Sequence, residues 1–170
     1  SWTSYNIIHA SLILLVSGGA LYSFYLKKTF PIPAILFWCG LVSFCIYEIL
    51  NLTIASLLIV YLIVLGRELI LELRDADADF KFIKKQNLAG FFGKYTWGLS
   101  TLLYVISSLL MMSELSLGMG FFSLSMFILL NGTVYFLLPK YGYKKVIRHY
   151  WYYSHLAWVF IAIFIWQGNL

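Results

Sequence analysis

Apolar residues fall into six long blocks, at roughly 5–26, 33–50, 52–72, 95–114, 117–138 and 150–167, separated by shorter polar or charged stretches. A helix rises about 1.5 Å per residue, so crossing a hydrocarbon core takes about 20 apolar residues. Each block approaches that length. The pattern predicts an all-α fold, a polytopic membrane helical bundle of about six transmembrane helices forming one membrane domain over residues 1–170. The second block is short and the 50–52 junction is tight, which predicts a helical hairpin with almost no loop. The stretch 72–94 is expected to form the long loop.

Composition supports lipid as the solvent. Hydrophobic residues make up 62% of the chain and charged residues 11%, against about 45–50% and 25% in soluble domains. A chain of 170 residues cannot bury that much apolar surface internally, so the lipid bilayer is the first partner implied. The net charge of +5 does not point to nucleic acid, because the basic residues sit in short stretches between apolar blocks. Lys27 and Lys28 follow the first block; Arg67, Arg74, Lys81, Lys84, Lys85 and Lys94 surround the long loop; Lys140, Lys144, Lys145 and Arg148 follow the fifth. With six spans all twelve basic residues fall on or near one side, which the positive-inside rule makes cytoplasmic or its organellar equivalent. Both termini are then expected on the opposite side.

Aromatic positions fit this frame. Trp2, Tyr5 and Trp166 fall near the outer boundary, and Tyr22, Tyr25, Trp97, Trp151, Tyr152 and Tyr153 near the inner one, as interfacial rings do. They support topology and carry no functional signal. Cys39 and Cys45 share one apolar block without a CxxC or Cys/His pattern, and read as packing residues. His9 and His155 fall at different depths, which argues against a pair of haem ligands. Ser107-Ser108 and Gly118-Met119-Gly120 are small enough to permit close helix approach.

The acidic residues are distributed unevenly. Of seven, five lie between 68 and 79: Glu68, Glu72, Asp75, Asp77 and Asp79. Positions 68, 72, 75 and 79 advance by four, three and four, so on a continued helix they share one face. A stripe of like charge destabilises a bare helix and calls for compensation. Two compensations fit the spacing. One is a divalent cation such as Mg²⁺, which takes carboxylate oxygens and bridges them to phosphate. The other is a solvated acidic turn balanced by Arg67, Arg74 and Lys81.

The run Gly66-Arg67-Glu68-Leu69-Ile70-Leu71-Glu72-Leu73-Arg74-Asp75-Ala76-Asp77-Ala78-Asp79 resembles the second acidic motif of the UbiA superfamily of intramembrane prenyltransferases. Asn87-Leu88-Ala89-Gly90-Phe91-Phe92-Gly93-Lys94 resembles that family's stretch leading into the next helix, and Tyr22-Ser23-Phe24-Tyr25-Leu26-Lys27-Lys28 its Tyr-Ser…Leu-Lys loop. Glu72 stands where Asp is usual, Ala78 where Gly is usual and Ala89 where Pro is usual. The family's first motif, N-D-x-x-D-x-x-x-D, does not occur in these residues.

The resemblance covers nearly the whole chain and about two-thirds of a family member. It implies a UbiA-like fold lacking the first three helices, an incomplete chain whose missing motif is supplied upstream or by other membrane subunits. It further implies a Mg²⁺-dependent enzyme that transfers an isoprenoid from a prenyl diphosphate to an aromatic or other small acceptor. Glu72, Asp75 and Asp79 would then be metal ligands with Glu68 supporting them, and Arg67, Lys81, Lys27 and Lys28 would bind the diphosphate. The alternative is a noncatalytic UbiA-like subunit of a larger respiratory or photosynthetic membrane complex.

Overall fold

A computed structural model describes the backbone of residues 2–83, 95–114 and 116–141. Every regular element among them is helical. Helix α1, Trp2–Leu21, runs on through a π-helical turn, Tyr22–Leu26, and one further helical turn, Lys27–Thr29. Helix α2 is Pro31–Leu50, α3 Ile54–Ile83, α4 Tyr95–Glu114 and α5 Leu117–Tyr141. Four segments are long and apolar enough to cross a membrane: Tyr5–Thr29, Pro31–Leu50, Ile54–Glu72 and Tyr95–Glu114. The fifth expected span coincides with α5, whose described apolar stretch is Leu117–Leu129, and the sixth, 150–167, lies outside the described residues.

Local chemistry explains the helix ends. Pro31 opens α2 at a position where its missing N–H costs nothing. Asn51 closes the same helix in the left-handed conformation at φ 49°, and the Leu52 N–H reaches back to the Tyr47 carbonyl at 3.1 Å. The Thr53 hydroxyl then accepts from the Ser56 N–H at 3.2 Å and caps α3. Residues 51–53 are thus the whole connection, the tight hairpin expected from the sequence.

The expected loop over 72–94 is corrected at its start, because α3 continues to Ile83. From Arg67 to Ala89 the chain contains no Gly or Pro, and Glu, Leu, Arg and Ala favour the helix they extend. A helix of 30 residues is about 45 Å long and outruns a hydrocarbon core of about 30 Å. The acidic stretch therefore rides on a helix, with Glu68 and Glu72 at the end of the spanning segment and Asp75, Asp77 and Asp79 in the part that continues beyond it.

Sequential helices pack as neighbours, with α3 against both α2 and α4. Ile59, Val60, Ile63, Val64, Leu69 and Ile70 of α3 are buried and join Ile35, Cys39, Tyr104, Met111 and Phe127 in the core. Tyr104 of α4 stacks on Phe127 of α5 with centroids 4.1 Å apart and an interplanar angle of 3°. Small residues let the backbones approach. The Ser108 and Ser123 hydroxyls meet at 3.1 Å across α4 and α5, and Ser100 donates to the Gly66 carbonyl of α3 at 2.7 Å. Such hydroxyls bury without loss because each finds an acceptor. Of the two glycines singled out earlier, Gly120 makes the close approach, and a Cβ on Gly118 would meet nothing within 4 Å.

Candidate functional site

Lys27, Lys28, Arg67, Glu68, Glu72 and Asp75 lie at the end of α1 and in the late turns of α3, while Glu48 and Glu114 lie at the ends of α2 and α4. Glu72 is 5% exposed. Its Oε1 receives the Tyr22 hydroxyl at 3.2 Å and faces the Lys27 ammonium at 3.0 Å. One turn earlier, the Arg67 guanidinium donates to Glu68 Oε1 at 2.7 Å. Tyr22 is itself fixed from the other side, its ring stacked on Trp38 of α2 at 5.4 Å and 13°.

Three elements therefore position one carboxylate. α3 carries Glu68, Glu72 and Asp75 on a common stripe. The π turn presents Tyr22 and Lys27 together, and α2 supplies the ring that fixes Tyr22. Behind the stripe, Gly66 lets the ring of Tyr104 lie against the α3 backbone; a Cβ there would come within 3.0 Å of it. Two of the like charges on the stripe are paired with side-chain cations, Glu68 with Arg67 and Glu72 with Lys27.

Of the residues singled out by sequence, the structure brings together Glu68, Glu72, Arg67 and Lys27. Asp75 is half-buried and Lys28 is exposed. The backbones of Asp79 and Lys81 belong to α3, and their side chains lie outside those described. As the described side chains stand, they do not fit a divalent cation. Glu72 and Glu68 are each ion-paired, and no three His, Cys, Asp or Glu side chains among the described residues converge to hold a metal.

Sequence reasoning missed Tyr22, which was expected at the membrane interface and is instead buried against Glu72. The five-residue spacing from Tyr22 to Lys27 hides the partnership, since positions five apart lie on different sides of an α-helix. Cys39 and Cys45 are both buried free thiols, in keeping with packing roles. His9 bonds its own helix, with Nδ1 at 2.7 Å from the Tyr5 carbonyl. On α5, one turn beyond Phe127, Asn131 is buried with an amide that has no hydrogen-bond partner among the described residues.

The chain matches no protein-family model, no curated protein and no solved structure.

Proposed function

We propose that this chain is a UbiA-like membrane protein that binds the diphosphate end of an isoprenoid donor where α1 meets α3, as a prenyltransferase acting on an aromatic or other small acceptor would. The observation that carries the reading is one of placement. Two of the sequence stretches that resemble the family, 22–28 and 66–79, lie far apart in the chain and meet at Glu72 through Tyr22 and Lys27. In this reading six helices span the bilayer and the charged end faces the cytoplasmic or equivalent side.

The chain's own residues support part of that chemistry. Lys27 and Arg67 place positive charge beside the site, where it would stabilise charge developing on a leaving diphosphate; fixed charges act strongly in a water-poor setting. Tyr22 orients the group it contacts through a hydroxyl held by the Trp38 stack. An isoprenoid tail needs only apolar surface, which the exposed Leu21, Phe24, Leu36 and Phe37 around this end provide. Mg²⁺ held by Glu72, Asp75 and Asp79 stays part of the expectation and would need Glu72 to leave Lys27 and Tyr22.

The same ion pairs favour a second reading, a noncatalytic subunit of a larger membrane complex in which Lys27–Glu72 simply fastens α1 to α3. Thermal unfolding in detergent with farnesyl diphosphate and Mg²⁺ separates the two. A ligand that binds only the folded state stabilises it by about 2.7 kcal/mol at a hundred times its Kd. Stabilisation that disappears in Asp75→Ala supports the enzyme reading. No stabilisation of the wild-type chain supports the subunit.

A further inference from the structure

The seam between α4 and α5 keeps a constant register. Ser108 meets Ser123 and Tyr104 stacks on Phe127, one turn apart on each of two antiparallel helices. The next turn sets Ser100 opposite Asn131. Asn131 is 6% exposed, and neither its amide nitrogen nor its amide oxygen has a hydrogen-bond partner among the described residues. The hydroxyls nearest in register are already engaged: Ser100 donates to the Gly66 carbonyl at 2.7 Å and Thr101 to the Trp97 carbonyl at 3.0 Å. Gly66 and Ser100 belong to segments long and apolar enough to cross a membrane, and at such a level a bare amide is costly.

Three features define what would satisfy it. The amide carries two donors, one acceptor and no charge. From Tyr95 to Gly132 the only charged residue in the sequence is Glu114, at the other end of α4, so an ionised group here would find no counter-charge on either helix. By the helical period, position 131 is turned about 40° round α5 from Phe127, and position 98 about 80° round α4 from Ser108, in the same sense. On antiparallel helices equal senses lead to the same flank of the seam. Gly98 is exposed there, and a Cβ on it would meet nothing within 4 Å. At position 98, therefore, no side chain covers the flank toward which Asn131 is turned.

We infer that Asn131 is the hydrogen-bonding point of a binding site on the α4–α5 seam, which takes the neutral carbonyl or hydroxyl head of a membrane-dissolved molecule. The apolar body of that molecule lies along the open flank at Gly98. A quinone or phenol carries this chemistry, and so does a diacylglycerol. The site stands apart from the charged end of the bundle. Gly66 and Glu72 are about 120° apart around α3, and Gly66 meets α4 while Glu72 meets the end of α1. The inference is thus independent of the diphosphate reading.

The test uses the full chain, stripped of lipid in detergent micelles, with two probes. Duroquinone is titrated by thermal unfolding, and dioleoylglycerol by native mass spectrometry. Wild type should bind at least one. Asn131→Leu removes the amide, and Gly98→Leu covers the flank while keeping it; each should weaken binding of that probe about tenfold, as loss of one hydrogen-bonding partner does. Gly98→Leu sits on an exposed helix face and decides the matter if Asn131→Leu does not fold. Duroquinone binding lost in the variants identifies a small-molecule site, and dioleoylglycerol binding lost in the same way identifies a lipid site. Failure of wild type to bind either probe, or binding that both variants retain in full, overturns the inference.

Discussion

The Lys27 ammonium lies 3.0 Å from the Glu72 carboxylate and ties the C-terminal end of the first spanning segment to the third. Lys27 keeps partial access to solvent while Glu72 is nearly enclosed, so the cost of breaking the pair falls mainly on the carboxylate. Truncating one member of a buried pair costs about 3–5 kcal/mol, and the partial exposure of Lys27 reduces this. Lys27→Met should lower stability by about 2–3 kcal/mol. The double variant Lys27→Met/Glu72→Met should recover part of the loss, with a coupling of about 1–3 kcal/mol in a double-mutant cycle of detergent unfolding. Additive losses would mean the pair contributes nothing beyond its separate side chains.

Asn51 holds φ 49° at the end of α2. A left-handed backbone costs an ordinary L-residue about 1–2 kcal/mol, and Gly adopts it freely. Asn51→Gly should leave the melting temperature unchanged or slightly higher, and Asn51→Ala should lower stability by about 1 kcal/mol. Equal effects of the two substitutions would show that the hairpin does not depend on this conformation.

A Cβ on Gly120 would come within 2.7 Å of the Met112 backbone nitrogen and 2.8 Å of the Ser108 carbonyl, and main chain does not yield as a flexible side chain does. Gly120→Ala should destabilise by about 1–3 kcal/mol through overpacking. Gly118→Ala meets open space and should be neutral or gain from helix propensity. Thermal unfolding of the pair checks both, and a loss in Gly118→Ala matching that in Gly120→Ala would contradict the packing described.

The Asn131 amide is enclosed with no hydrogen-bond partner among the described residues. A buried polar group left unsatisfied costs about 1–3 kcal/mol, and Leu has the same branching and number of side-chain heavy atoms with somewhat bulkier methyl groups. Asn131→Leu should raise stability by a similar amount. A drop instead would show that the amide is bonded to a group outside the described residues.

The helix α3 continues beyond its spanning segment to Ile83. Hydrogen–deuterium exchange should therefore find slowed amides through Ile83, because each N–H there is bonded to the carbonyl four residues back. Exchange at the rate of an open loop from residue 73 onward would return the acidic stretch to the loop expected from the sequence.

The membrane character and four of the spans were legible in the chain because both depend on one-dimensional quantities. Apolar run length sets where a helix can cross lipid, and Asn51 and Thr53 mark the hairpin through backbone preferences of their own. The end of α3 was misread because hydropathy falls at Glu72 while helix propensity does not, and hydropathy reports lipid contact rather than backbone conformation. The acidic stripe at 68, 72 and 75 was also legible, since it needs only the helical period. So was Arg67 as a cation beside it, which pairs with Glu68; the pairing of Lys27 with Glu72 was not.

That pairing was decided by the tertiary structure. Lys27 reads from the sequence as a topology charge and Tyr22 as an interfacial ring, because local pattern carries no information about their partner across the bundle. Their convergence on Glu72 required a π turn, whose wider winding no hydrophobic period reveals, together with the packing of α1 and α2 that brings Trp38 behind Tyr22. The sequence by itself determined which residues are charged, apolar or small, and hence that they would form helices long and apolar enough to cross a membrane. Which charge neutralises which was left to the way those helices turn and pack, because Coulomb attraction depends on distance in space, and chain separation says nothing about that distance once helices cross back on one another.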